Sequence, residues 1–167
     1  MHDELTAVDI RKMQEEIDYR VKTLRPKLIE DVQTARSFGD LSENFEYKAA
    51  KREKNRNDSR IRYLENMIRT AVVIEDRDTG DRAGLFDTVT LYFPEDDETQ
   101  TVRFVTTLRQ NALEGLISKE SPLGKAVLGH RAGETVTVTV NEEVSYPVTI
   151  RAIEPGEDDP TLAISAY

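Results

Sequence analysis

Apolar positions in the first half of the chain fall at Ile10, Met13, Ile17, Val21, Leu24, Leu28, Val32 and Ala35. Steps of three and four residues predict one amphipathic helix. Thr6 is a fair N-cap for it, and Asp9 lies in the first turn, where an acid favours the dipole. Pro26 falls inside the run. It lacks a backbone donor and predicts a kink near Thr23 and Leu24. The stripe keeps its phase across the proline, so the helix reads as continuous, roughly 30 residues and about 45 Å long. Ser37-Phe38-Gly39 breaks the pattern, with Gly39 suited to a left-handed C-cap. A second helix then runs to about Thr70 with the stripe Tyr47, Ala50, Lys54, Asn57, Ile61, Leu64 and Ile68. Lys54 and Asn57 are polar where a packed core is apolar. A two-helix pair tolerates them, because long side chains snorkel out of so thin an interface. The pattern therefore predicts a narrow antiparallel helical hairpin, a coiled coil, whose turn spans residues 38–44.

The second half changes period. Alternating or apolar runs at 72–75, 86–93, 101–108, 135–140 and 145–153 predict strands, clearest in Thr135-Val-Thr-Val-Thr-Val140. Polar connections at 94–98 and 141–143 read as hairpin turns. Ser121 as N-cap with Pro122 at the first helical position predicts a short helix ended by Gly129. The fold class is α+β: a helical hairpin over residues 1–75, then an antiparallel sheet wrapped on one helix over 76–155. Beyond Pro155, Gly156-Glu-Asp-Asp-Pro160 reads as a linker to a loose tail, 156–167.

Composition narrows the function. The 167 residues carry a net charge of −9, no Cys and two His. That removes disulfides, cysteine nucleophiles and the usual zinc sites. No apolar run approaches a membrane span, and the start is acidic where a signal peptide is basic. The expectation is a soluble, cytoplasmic chain without a bound cofactor. Charge is uneven: residues 1–70 net +1 and residues 71–167 net −10. The acidic whole is a poor nucleic-acid binder. A local basic stripe can still act, because screening confines charge effects to about 8 Å.

Two places in the hairpin carry candidate chemistry, and each admits two readings. On the second helix Lys48, Arg52, Arg56 and Arg60 recur every four residues, with Lys51 alongside. They form either a solvated face paired with Asp58 and Glu53, or a track for phosphate oxygens. At the acidic tip near residues 39–46, Asp40 and Glu43 form either a capping box, with Asp40 as N-cap and Glu43 at N3, or a metal-facing carboxylate pair. Mg²⁺ takes one or two carboxylates and fills its octahedron with water and phosphate. Two carboxylates complete a site that another molecule half supplies and do not hold the ion alone. No nucleophile–base pair is visible in the second half, and His130, in a Gly-flanked turn, reads as a surface residue.

Arg25-Pro26 followed by Gly39-Asp-Leu-Ser-Glu-Asn44 and Glu46-Tyr47 resembles the coiled-coil tip of the bacterial Gre factors (GreA and GreB). Ile117-Ser118, Ser121-Pro-Leu-Gly124 and Ala126-Val-Leu-Gly129 resemble their C-terminal FKBP-like domain. The resemblance runs from about Leu5 to Pro155. It implies a transcription elongation factor that binds bacterial RNA polymerase through its secondary channel. Such a factor is not itself an enzyme; it stimulates the polymerase to cleave its own backtracked RNA. It implies that Asp40 and Glu43 help hold the second catalytic Mg²⁺ and its water. It implies that Lys48, Lys51, Arg52 and Arg56 contact the 3′ end of the extruded RNA, and that Glu120, Ser121 and Pro122 lie at the docking surface. The expected state is a monomer away from membranes, with Mg²⁺ supplied in the polymerase and none bound by the isolated chain. Phe45 departs from the small residue usual after Glu-Asn, and the tail exceeds the usual end. Two rivals remain: a Gre-like inhibitor that plugs the channel, and a coiled-coil adaptor or chaperone with an FKBP-like module.

Overall fold

The computed structural model describes residues 3–39 and 44–166. The chain divides into two compact units, one of residues 10–71 and one of residues 1–9 with 72–167. The first nine residues thus cluster with the C-terminal half, whereas the sequence expectation placed them in a hairpin domain of 1–75.

The helical unit contains α1 (Ala7–Tyr19, entering from the other unit), a π-helical turn (Arg20–Leu24), α2 (Arg25–Arg36) and α3 (Phe45–Thr70). Cross-links between Arg20 and Asn57, Arg25 and Asp58, and Arg36 and Tyr47 fix an antiparallel pairing. Most positions of the first stripe are only half-buried, as a two-helix interface requires; Met13 and Ala35 are buried, as are Ile61 and Leu64 of α3. Pro26 produces a widened turn, in which the Arg25 N–H donates to the Arg20 carbonyl five residues back. The physical reason is local: Pro26 has no N–H for the carbonyl four residues earlier, and its ring needs room there.

Asn57 corrects the snorkelling expectation. It is 3% exposed. Its amide oxygen accepts from Arg20 Nη1 at 2.9 Å and its amide nitrogen donates to the Arg20 carbonyl at 3.3 Å. Lys54 is half-buried and bonds Asp58 at 3.0 Å.

In the other unit, β1 (Glu4–Leu5) pairs in parallel with β2 (Val72–Val73). The main sheet comprises β3 (Thr88–Phe93), β4 (Glu98–Val105), β5 (Leu116–Ser118), β6 (Thr135–Thr139) and β7 (Ser145–Glu154), in the order β5-β4-β3-β7-β6. The sheet is mixed: β5 lies parallel to β4, where a wholly antiparallel sheet was expected, and the remaining neighbours are antiparallel. Alternation places Val89, Leu91, Val102, Phe104, Val138, Val148 and Ile150 in one core with Val127 of α4 (Pro122–Val127). A second cluster joins Phe86, Val105 and Leu116.

The expectation of a loose tail is overturned. Arg109 is fully buried, and a buried cation demands compensation. Asp9 supplies one carboxylate at 2.7 Å and Asp158, from the tail, supplies another. The Asp159 carbonyl accepts from Arg109 Nη1 at 2.7 Å, and the Phe86 ring lies 4.9 Å from the guanidinium. Thr6 Oγ1 donates to Asp158 at 2.6 Å, and the Gly156 N–H donates to Asp87 at 2.9 Å. Leu162 packs on the Phe86 cluster, and the Ser165 N–H donates to the Leu108 carbonyl at 2.6 Å.

Candidate functional site

The two helix ends nearest the turn are closed by one side chain. Asn44 is the N-cap of α3: its Oδ1 accepts from the Tyr47 N–H at 3.0 Å. Its Nδ2 donates to the Ala35 carbonyl at 2.6 Å, on the last turn of α2. Asp40 and Glu43 lie outside the described residues. α3 begins at Phe45 and is capped by Asn44. An Asn is as good an N-cap as an Asp, and the sequence offers several candidates in a row. What selects Asn44 is a carbonyl on the opposite helix.

On either side of the turn stand two uncovered rings, Phe38 at 65% and Phe45 at 80% exposure. Behind them the cations begin. Lys48 Nζ lies 5.8 Å from the Phe45 ring centre, and the Arg36 guanidinium lies 5.4 Å from that of Tyr47. Arg36 also donates to the Tyr47 hydroxyl at 3.2 Å. That bond holds the phenol below its usual range, with the charges of Lys51 and Arg36 assisting against the opposing effect of burial. The Arg36–Tyr47 pair was not anticipated; the charge and the phenol are eleven residues apart on different helices.

Lys48, Lys51, Arg52 and Arg56 are all exposed. Arg56 pairs with Glu53 at 3.0 Å. Among the described residues no ion pair engages Lys51 or Arg52 within 4.0 Å. Arg60 leaves the stripe. It is 3% exposed and turns between the helices to bond Glu16 at 2.8 Å, so the basic face ends one turn earlier than its four-residue spacing indicates. Asp58, expected to neutralise that face, is held by Lys54 and Arg25. The described part of the hairpin end thus offers exposed rings followed by a cationic ladder. Such a surface suits phosphate oxygens and the flat faces of bases.

In the other unit Ser121 caps α4. Its Oγ accepts from the Gly124 N–H at 3.0 Å and donates to the Ser118 carbonyl at 2.7 Å. Only glycine fits at 124: a Cβ there would stand 2.6 Å from the Ser118 carbonyl oxygen. Pro122 and Glu120 are exposed beside it, and Lys119 pairs with both Glu4 and Glu120. The turn therefore presents an acid and a proline ring on a rigid frame. His130 is exposed and lies 3.4 Å from Glu134. No group of three His, Cys, Asp or Glu able to hold a metal ion occurs among the described residues. Nor, among them, is any helix long and apolar enough to cross a membrane.

Comparison with known proteins places this geometry in a family. Residues 4–73 match the transcription elongation factor N-terminal domain of GreA and GreB, and residues 77–155 match the GreA/GreB C-terminal domain. The transcription elongation factor GreA of Geobacillus kaustophilus is 44% identical over 135 residues, covering 80% of this chain and 85% of that protein. GreA of Bacillus subtilis is 40% identical over 134 residues, with the same shares covered. The crystal structure of GreA factor homolog 1 (Gfh1) of Thermus thermophilus is 27% identical, covers 93% of this chain and 100% of that one, and has a TM-score of 0.43, too low for its coordinates to bear on the site. With both halves matched in order, the chain belongs to the GreA/GreB family of transcription elongation factors.

Proposed function

We propose that this elongation factor docks on bacterial RNA polymerase and inserts its hairpin through the secondary channel, where Asp40 and Glu43 assist cleavage of backtracked RNA. In this reading it is an accessory factor, acts as a monomer, and leaves the cleavage chemistry to the polymerase. Glu120, Ser121 and Pro122 belong to the docking surface. Lys48, Lys51, Arg52 and Arg56 hold the 3′ segment of the extruded RNA.

The observation that carries the reading is the cap of α3. Asn44 occupies the N-cap and takes the Tyr47 N–H, so the N-cap of α3 does not account for Asp40 and Glu43. Hard carboxylate oxygens suit magnesium, and two of them are too few to retain it without other ligands. Asp40 and Glu43, together with acids of the polymerase, would hold the ion, which would supply charge stabilisation for an in-line displacement. The chain's own contribution is placement. The segment between α2 and α3 carries the carboxylates, and the cations of α3 hold the RNA strand behind them by phosphate contacts that weaken with salt.

The test is transcript cleavage by a stalled, backtracked polymerase. Asp40→Asn and Glu43→Gln each abolish stimulation while polymerase binding stays within about twofold, since neither residue belongs to the docking surface. Loss of binding in step with activity overturns the reading. Tight binding without any cleavage by the unaltered protein identifies the channel-plugging alternative.

A further inference from the structure

We propose that Asn44 and Asn57 are positioning residues: at two levels of the hairpin their amides bond the backbone of the first helical segment, and together they set the register in which Asp40 and Glu43 are presented. The proposal rests on the reading that those carboxylates act in the polymerase centre.

The two contacts share one chemistry. Asn57 Nδ2 donates to the Arg20 carbonyl at 3.3 Å while its Oδ1 accepts from Arg20 Nη1 at 2.9 Å. Asn44 Nδ2 donates to the Ala35 carbonyl at 2.6 Å while its Oδ1 accepts from the Tyr47 N–H at 3.0 Å. Each asparagine thus uses both ends of its amide, one as donor across the hairpin. The carbonyls they reach are special. The Arg20 carbonyl belongs to the π-helical turn and also takes the Arg25 N–H. The Ala35 carbonyl is on the last turn of α2 and also takes the Phe38 N–H at 3.2 Å. A widened turn and a helix end each exist at only one height along the rod. A donor aimed at either one reads position, which a repeating apolar stripe does not.

The apolar stripe cannot do this, and the other cross-links, Glu16–Arg60, Arg25–Asp58 and Arg36–Tyr47, join side chain to side chain without reaching the backbone. The stripe's first-helix positions are mostly half-buried, in steps of three and four, so a slipped pairing recovers much of the same contact. Slippage by one residue displaces a helix end by about 1.5 Å and rotates it by about 100°. A slipped hairpin instead leaves a buried amide without partners, the penalty by which single buried asparagines fix register in coiled coils. The two pins stand roughly 20 Å apart along α3, so together they constrain the end of the hairpin more tightly than either alone. Misplacement of a reacting group by about 1 Å costs on the order of 100-fold in rate.

Aspartate separates this role from capping and packing. Asn44→Asp keeps the N-cap acceptor, and Asn57→Asp keeps the acceptor for Arg20; each replaces the donor across the hairpin by a carboxylate oxygen that faces the same carbonyl. Three quantities are read for each variant. They are the maximal rate of transcript cleavage, the factor concentration giving half that rate, and the distance between spin labels at Gln33→Cys and Asn55→Cys; the chain has no native cysteine to interfere. Both variants keep helix content and the half-maximal concentration, lose about 10- to 100-fold in maximal rate, and broaden the label distance, and the double variant loses more. If both stimulate like the unaltered protein while Asp40→Asn does not, the pins are refuted and the carboxylate reading survives. If Asp40→Asn stimulates fully, the carboxylate reading fails. The label distance then decides register separately, a single narrow distribution in both variants refuting the pins.

Discussion

Glu16 lies between two arginines of different helices. It bonds Arg20 and Arg60 at 2.8 Å each, and Arg60 is 3% exposed. Burial pushes its carboxyl up, but the hydrogen bonds and charges of Arg60 and Arg20 outweigh that and hold it below its ordinary 4.5. The unfolded chain therefore takes up this proton at a higher pH than the folded one. The resulting stabilisation is complete above about pH 4.5 and is lost as pH falls through the lower folded value. Glu16→Gln removes the negative charge that faces Arg60 and Arg20. Urea unfolding followed by helix signal should show a loss of about 1–2 kcal/mol at pH 7. That is less than the roughly 3–5 kcal/mol of a fully buried broken pair, because Glu16 keeps partial contact with water. The acid-side slope should flatten in the variant. Asp58 belongs to the same logic: burial raises it, and Lys54 and Arg25 lower it further than burial raises it. The hairpin as a whole thus softens in acid.

Among the elements, the short helix α4 depends on a position that tolerates no side chain. A Cβ on residue 124 meets the carbonyl oxygens of Ser118 and Lys119 at 2.6 and 2.7 Å. Gly124→Ala must push the helix off the 118–119 turn, and overpacking of this kind costs about 1–3 kcal/mol. Ser121→Ala loses the cap bond, about 1 kcal/mol, and the hydroxyl's bond to the Ser118 carbonyl, but leaves the backbone of the turn unobstructed. In a polymerase-binding titration Gly124→Ala should therefore weaken affinity well beyond Ser121→Ala. Equal effects would mean that the hydroxyl, and not the frame, is recognised. Elements of this kind were legible in the sequence because their signals are local: the three-four stripe of α1 and α2, the period of two in β6, Ser121-Pro122 before α4. The misses share the opposite property. β1 and β5 have two and three residues, too few for any period, and the parallel pairing of β5 with β4 is set by the chain's path. Asp40 and Asn44 are equal local candidates for the cap; the Ala35 carbonyl that Asn44 reaches belongs to another helix. Asn57 and Arg60 looked exposed because polarity was read without the partners, Arg20 and Glu16, that make burial affordable.

At the scale of the whole molecule, the same blindness to distant partners explains the tail. Gly156-Glu-Asp-Asp-Pro160 has the composition of a linker, yet its compensating cation, Arg109, lies about fifty residues earlier. The family match ends at residue 155, so the tail lies outside the matched residues. Two mechanisms could make it matter to stability: charge compensation of Arg109 by Asp158 and the Asp159 carbonyl, or apolar contact of Leu162 with the Phe86 cluster. Removing residues 156–167 ends both at once and should cost about 2–4 kcal/mol. That lies below the full penalty of an orphaned buried charge, because Asp9 remains and water gains entry. A thermal-unfolding cycle with Arg109→Met separates the two. Methionine needs no carboxylate, so under charge compensation the truncation costs much less in that background than in the unaltered chain. Contact of Leu162 is indifferent to the charge at 109, and under that mechanism the truncation costs the same in both. The complete burial of Arg109, against a single leucine resting on a small cluster, favours the first result. A coupling of at least about 1 kcal/mol between the tail and Arg109 is the expected reading of the cycle.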